Sequence, residues 1–370
     1  MKSLIQKLVE TPGPSGYETQ IREVIRAEVE PFADEVRVDA LGNLIAVKGQ
    51  GGTVVPSGTV VPGGTVVPGG TVVPSGTGFP TATDKAEEVL RKKVMLAAHM
   101  DEIGVMVVHV DKDGFIRFTP TGGVSPITCV GGRVRFLDGK IGAIYREPPE
   151  DNTKVPTIEQ LYIDIGYADN QECLPRIGDP AVFERPFVDL GNRLLSKAMD
   201  DRIGAAVLIE TLRQIRNTPH QLFFVFSVQE EVGVRGATTA AFGIDPDLGL
   251  AVDVTGVGDT PRRANLRNQV SLGKGAAIKV RDSGMLADPR VVDWMIRSAE
   301  KAGIPYQLEI LEGGSTDARA IQLTRAGVPA GCLSIPTRYV HSPSEMVDYS
   351  DVQNAVKLLL ALLSAPIELG

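Results

Sequence analysis

Apolar positions recur at helical spacing over residues 3–10 and 17–29, then give way to short extended runs. Val36-Arg37-Val38 and Leu44-Ile45-Ala46-Val47 flank the turn pair Gly42-Asn43, which predicts a hairpin. Four later stretches are continuously apolar rather than alternating: 94–98 (VMLAA), 222–228 (LFFVFSV), 248–252 (LGLAV) and 332–335 (CLSI). Runs of this length bounded by polar or Gly residues mark strands covered on both faces. Helical spacing returns over 201–216, 235–242, 288–302, 316–326 and 350–363. Strand and helix alternate, so the predicted fold is α/β, a mostly parallel sheet with helices on both faces.

Two stretches break this pattern. Residues 121–190 are rich in Gly and short β pieces, such as Arg133-Val134-Arg135-Phe136 and Leu161-Tyr162-Ile163-Asp164-Ile165, with no convincing helix before Asn192. They predict a small all-β domain inserted into the α/β domain. Residues 51–83 repeat GTVVP with a period of six and carry no charge. Proline at every sixth position removes a backbone donor and forbids helix, so a long extended loop is expected. The predicted organisation is a first α/β part over 1–120 containing the 51–83 repeat, a barrel-like β insertion over 121–190, and a second α/β part over 191–370.

Composition narrows the setting. The 370 residues carry 38 basic and 46 acidic side chains, a formal net charge of −8. That balance argues against nucleic acid or an anionic membrane as partner, and no run of apolar residues is long enough to span a bilayer. A cytoplasmic protein is expected. Cys129, Cys173 and Cys332 are odd in number and form no CxxC pair, so they read as reduced thiols.

Polar clusters follow the buried runs. His99-Met100-Asp101-Glu102 follows 94–98, Gln229-Glu230-Glu231 follows 222–228, Asp253 follows 248–252, and His341 lies a short loop beyond 332–335. A fifth cluster, Asp200-Asp201-Arg202, opens a helix. In open α/β sheets ligands bind outside the carboxyl ends of the strands, where these clusters would converge. Two imidazoles and several carboxylates in one place repel themselves unless cations sit among them. Mixed His and carboxylate donors suit Zn²⁺ or Co²⁺ better than Mg²⁺, and the donors suffice for two ions bridged by one carboxylate. His99 and Asp101 lie two apart on an extended segment and share a face, so Asp101 can buttress an imidazole. His109 and His220 read as structural.

Seven ordered motifs then carry a resemblance: HMDEIG (99–104), DKDGFIRF (111–118), SKAMDDRIG (196–204), QEEVGVRGA (229–237), DVT (253–255), GGSTDARAI (313–321) and RYVHSPSEMV (338–347). With them the chain resembles the M42 family of dinuclear-metal aminopeptidases over nearly its whole length except the repeat. The resemblance implies two divalent ions per subunit, one held by His99 and Asp253, the other by Glu231 and His341, with Asp200 bridging. It implies Asp101 as the orienting carboxylate, Glu230 as general base, a cis peptide after Asp200, and peptides with a free N-terminus as substrates. It further implies that the β insertion mediates dimerisation, with homo-oligomers from dimer to dodecamer. Gly256-Val257-Gly258 after the DVT motif matches no substrate contact. Two other classes fit less: a metal-free, endoglucanase-like glycoside hydrolase using paired carboxylates, and a non-catalytic assembly protein of the same fold.

Overall fold

The computed structural model describes residues 1–49, 91–148, 151, 153–166, 174–261 and 270–370. The repeat over 51–83 and Cys173 lie outside the described residues. In chain order the strands are β1 (Glu35–Val38), β2 (Leu44–Lys48), β3 (Lys93–His99), β4 (Gly104–Val110), β5 (Ile116–Thr121), β6 (Arg133–Phe136), β7 (Ile141–Arg146), β8 (Leu161–Asp164) and β9 (Pro180–Phe183). They continue with β10 (Val188–Asp189), β11 (Arg193–Ser196), β12 (Gln221–Ser227), β13 (Leu248–Gly256), β14 (Ala276–Arg281), β15 (Tyr306–Ile310), β16 (Ala330–Arg338) and β17 (Glu345–Asp348). The α-helices are α1 (Lys2–Glu10), α2 (Thr19–Val29), α3 (Pro126–Cys129), α4 (Met199–Gln214), α5 (Arg235–Ile244), α6 (Pro289–Ala302), α7 (Asp317–Gln322) and α8 (Tyr349–Leu363).

The four apolar runs form the centre of one sheet, in the parallel order β12, β3, β13, β16. Outside them the sheet changes sense. β2 and β1 add antiparallel on one side; β17, β11 and β10 do so on the other; β14 pairs antiparallel with β16 and parallel with β15. The sheet is therefore mixed, with its parallel character concentrated in the middle, which corrects the mostly parallel expectation. The reason is burial: only strands covered on both faces write continuous apolar runs, whereas outer strands such as β1 (EVRV) are short and partly exposed.

Helices cover both faces. Leu96, Phe224, Leu250 and Leu333 face a core shared with Ile5 and Leu8 of α1, Ile21 and Ile25 of α2, Leu208 of α4, Trp294 of α6 and Leu359 of α8. Met95 and Val225 point the other way, against Ala241 and Ile244 of α5 and Ile321 of α7. Local signals set the helix limits. α6 begins with Asp288 accepting from the Arg290 backbone N–H, has Pro289 in its first turn, and stops at left-handed Gly303; such an N-cap contributes about 1 kcal/mol.

β4, β5, β8, β7, β6 and β9 close into a six-stranded barrel with a core of its own that includes Val105, Phe118, Val134 and Phe183. Its first strand starts at Gly104, well ahead of residue 121, because the chain leaves the sheet directly after the His99 to Glu102 cluster. One-turn α3 also interrupts a stretch expected to lack helix. At the opposite edge of the sheet, Arg91 donates a hydrogen bond to the Gly49 carbonyl, so the ends flanking residues 50–90 meet there.

Candidate metal centre

Parallel register brings the clusters to one edge. β3 ends at His99, paired with Ser227 at the end of β12, and Asp253 lies in the exit half of β13 beside Ser334 of β16. His99 is almost fully buried. Its Nδ1 lies 3.1 Å from the Asp101 backbone carbonyl and 3.4 Å from Asp101 Oδ1, and its Nε2 lies 2.9 Å from Asp200 Oδ1. With Nδ1–H donating to Asp101, Nε2 keeps its lone pair for a metal.

Asp200 sits at the start of α4 in a non-helical conformation, and the Asp200–Asp201 peptide is cis, as the resemblance implies. Its two carboxylate oxygens face different histidines: Oδ1 faces His99, while Oδ2 lies 3.3 Å from His341 Nε2. The same His341 nitrogen is 3.3 Å from Glu231 Oε2. Two groups of donors result, His99 with Asp200 and Asp253, and Asp200 with Glu231 and His341, each with its ligand atoms within 4.8 Å of one another. Asp200 belongs to both. Glu230 borders the first group, its Oε2 being 4.0 Å from His99 Nε2.

The loops that present these side chains bend sharply. Ala198, Gln229 and His341 all have φ between 54° and 60°, a left-handed conformation uncommon for residues with a Cβ and concentrated at functional sites.

The electrostatics indicate what the site is built for. Burial and the nearby Asp253, Asp317 and Glu231 charges push the Glu230 carboxyl well above the usual range; burial and Asp200 do the same to Asp253. Burial opposes the ionised form of Asp200, but hydrogen bonds from His341 and His99 outweigh it and hold its carboxyl low. Burial likewise disfavours an imidazolium at His341, yet its contacts with Asp200 and Glu231 push it up to about 11. Buried carboxyls pushed up beside imidazoles pushed up are the pattern of a site whose charge is completed by cations. Glu231 Oε1 has no hydrogen-bond partner although it is buried, which also fits a metal ligand. The donor set therefore suits two divalent ions.

All seven residues singled out by sequence reasoning reach this edge: His99, Asp101, Asp200, Glu230, Glu231, Asp253 and His341. His109 is exposed on β4, and buried His220 holds the Ala365 carbonyl at 3.0 Å; neither reaches the site. Val257 packs into a small core with Val270 and Leu272, which gives Gly256-Val257-Gly258 a structural role. Cys129 and Cys332 are buried free thiols.

Among the residues that sequence reasoning missed, three stand here. Glu345 accepts from the backbone N–H of Asp200 at 3.0 Å and of His341 at 2.8 Å, tying two ligand-bearing segments together. Asp317 is buried, accepts from the Ser227 hydroxyl, and has its carboxyl raised to about 6 by burial. Both stood inside motifs quoted from the chain, and an acidic residue in a motif was the available signal. Gly123, just after β5, packs so close to the imidazole that a Cβ there would lie 2.2 Å from His341 Nδ1. Its signal was the Gly122-Gly123 pair at a strand end.

Known proteins are similar to the chain over most of its length. The M42 glutamyl aminopeptidase family matches over residues 81–358. A putative aminopeptidase of Acetivibrio thermocellus is 44% identical, covering 97% of each chain. Among solved structures, the aminopeptidase APDkam598 from the archaeon Desulfurococcus kamchatkensis is 37% identical, with a TM-score of 0.83 over 98% of this chain and 94% of its own. A Pyrococcus horikoshii TET1 peptidase that can assemble into a tetrahedron or a large octahedral shell is 30% identical, with a TM-score of 0.79 over 98% of each chain.

Proposed function

The chain belongs to the M42 glutamyl aminopeptidase family and is a metal-dependent aminopeptidase, and from that premise we propose which residues carry the reaction. His99 and Asp253 would hold one divalent ion and Glu231 and His341 a second, with Asp200 in reach of both. The observation that carries this reading is the divided carboxylate of Asp200, one oxygen toward each histidine. Zn²⁺ or Co²⁺ suits the mixed donors. When bound, such a pair supplies Lewis acidity, which acidifies water and polarises a peptide carbonyl.

The chain's own residues do the rest. Glu230 is the general base: a carboxylate oxygen takes a proton from the attacking water and returns it to the amine nitrogen as the C–N bond breaks. Its Oε2 stands 4.0 Å from His99 Nε2, at the border of the first donor group, which suits it to that transfer. Asp101 fixes the ring of His99. The products are a free amino acid and a peptide shortened by one residue.

The barrel is the proposed dimerisation surface of a homo-oligomer. Ile127, Ile141, Tyr145, Val155 and Ile177 are exposed on it or on its connections, and apolar side chains in water favour a partner. Among the described residues no helix is long and apolar enough to cross a membrane.

The test measures release of aminoacyl chromophores before and after complete chelation, then after Zn²⁺ or Co²⁺ add-back. Activity should vanish and return; peptide turnover by fully stripped protein would overturn the two-ion reading. Release of oligosaccharide ends that survives chelation would restore the glycoside hydrolase alternative. Glu230→Gln should keep both metal equivalents and lose about 10²- to 10⁴-fold in kcat.

A further inference from the structure

The turn Gln229-Glu230-Glu231 carries the proposed base and a proposed ligand, and three consecutive backbone N–H groups of that turn are each held by a carboxylate. Glu18 Oε1 accepts from Gln229 at 3.1 Å, Asp101 Oδ1 from Glu230 at 3.0 Å, and Asp101 Oδ2 from Glu231 at 3.2 Å. Such a row of N–H groups is an anion-binding concavity, here filled from within the protein. Both carboxylates depend on one N-terminal loop. Glu18 belongs to it, and the Ser15 hydroxyl donates to Asp101 Oδ2 at 2.6 Å. Ser15 and Glu18 are nearly fully buried, at 6% and 4% exposure.

The loop is itself docked firmly. The Gly13 N–H donates to Glu102 Oε1 at 3.1 Å, and its carbonyl accepts from the Glu102 N–H at 3.0 Å. Arg202, fully buried two residues after Asp200, donates to the carbonyls of Leu8 at 2.6 Å and Thr11 at 2.8 Å. A Cβ on Gly13 would lie 2.5 Å from Ile21 Cγ2 and 2.8 Å from an Arg202 nitrogen, so only glycine lets the loop lie this close. The loop thus touches the Asp101, Asp200 and Glu230 clusters together, although it precedes the stretch matched by the family.

We propose that Ser15 and Glu18 are positioning residues for the reaction, holding the Gln229-Glu230-Glu231 turn so that the base and its neighbouring ligand face the reacting water. Loop packing alone needs no side-chain acceptor aimed at this turn. Two buried carboxylates aimed at successive N–H groups instead fix a turn whose first residue is left-handed. The inference rests on Glu230 being the base.

The experiment is a double-mutant cycle on metal-loaded full-length protein. Ser15→Ala and Glu18→Ala should each lower kcat about 10- to 100-fold, the usual scale for an orienting partner, with KM and both metal equivalents kept. Ser15→Thr and Glu18→Gln, which retain the donor and the acceptor, should recover most of the loss. On a Glu230→Gln background Ser15→Ala should cost little more, because it acts through a base already removed. If Ser15→Ala does not fold, Ser15→Cys reads the same loss at nearly constant volume with a weaker donor. Parental turnover in the Ser15 and Glu18 variants, or losses that multiply in full on Glu230→Gln, would overturn the anchoring alone. Parental turnover in Glu230→Gln would overturn the base assignment and this route with it.

Discussion

The two halves of the centre share Asp200 but are built differently. His99 has only 2% of its side chain exposed and ends a central strand; Asp253 lies on the neighbouring strand and is also buried. His341 has 38% of its side chain exposed, on a loop after β16, and its partner Glu231 sits on the turn after β12. The first half is fixed by sheet register, in which no residue moves without its strand. The second is held by the Asp101 and Glu345 hydrogen bonds and by the fit of His341 over Gly123. Asp200 therefore joins a buried half to one whose histidine is open to solvent.

The largest effect is expected where the halves meet. Asp200→Ala should lose both metal equivalents and nearly all turnover; metal analysis showing two equivalents retained would break the picture of a shared ligand. Next come the histidines. His341→Ala should keep one equivalent in the buried half, whereas His99→Ala should also destabilise the fold by leaving buried carboxylates without their partner. Equal metal loss and equal melting temperatures in the two variants would erase the distinction between the halves.

Gly123→Ala tests the more exposed half from the barrel side. The added methyl displaces the His341 ring, so turnover should fall about 10- to 100-fold while the first equivalent of metal stays bound. Proton linkage follows. In the metal-free protein His341 carries a proton up to about pH 11. A metal must displace that proton at any lower pH, so affinity at this half should rise with pH, by about tenfold per unit for each proton displaced. Calorimetry in buffers of different ionisation enthalpy counts the protons, and uptake independent of pH would remove His341 from the ligands. The smallest effect is expected from the connection between Gly49 and Arg91, whose ends meet opposite both halves: deleting residues 52–80 should leave dipeptide turnover within about twofold, since shortening a connection changes loop entropy only slightly.

How much of this was readable from the chain depended on burial. The four central strands announced themselves because both their faces are covered, and the candidate ligands His99, Glu231 and Asp253 stood out because each closely follows such a run, whereas Asp200 opens a helix and His341 stands a short loop beyond its strand. Strands β10, β11, β14, β15 and β17 are short or carry polar residues inward, as Lys279 and Glu309 do, so no continuous run marked them. The barrel's early start escaped because Gly104 to Val110 follows a catalytic motif without punctuation. Ser15, Glu18 and Gly123 escaped for another reason: their roles are contacts across more than 85 residues with groups of the site, which periodicity along the chain does not encode.

The hydrogen bond from Arg91 to the Gly49 carbonyl closes a doorway in the backbone at the edge of the sheet opposite the ligands. Chain added or removed between those two residues would leave and re-enter the sheet at one point, so the strands on either side are expected to keep their places. The GTVVP array falls between them in the sequence, so a length change at this port is expected to cost the fold little. The same port would accept a fluorescent protein or a surface-anchoring tether, carried by the enzyme on its side away from the chemistry.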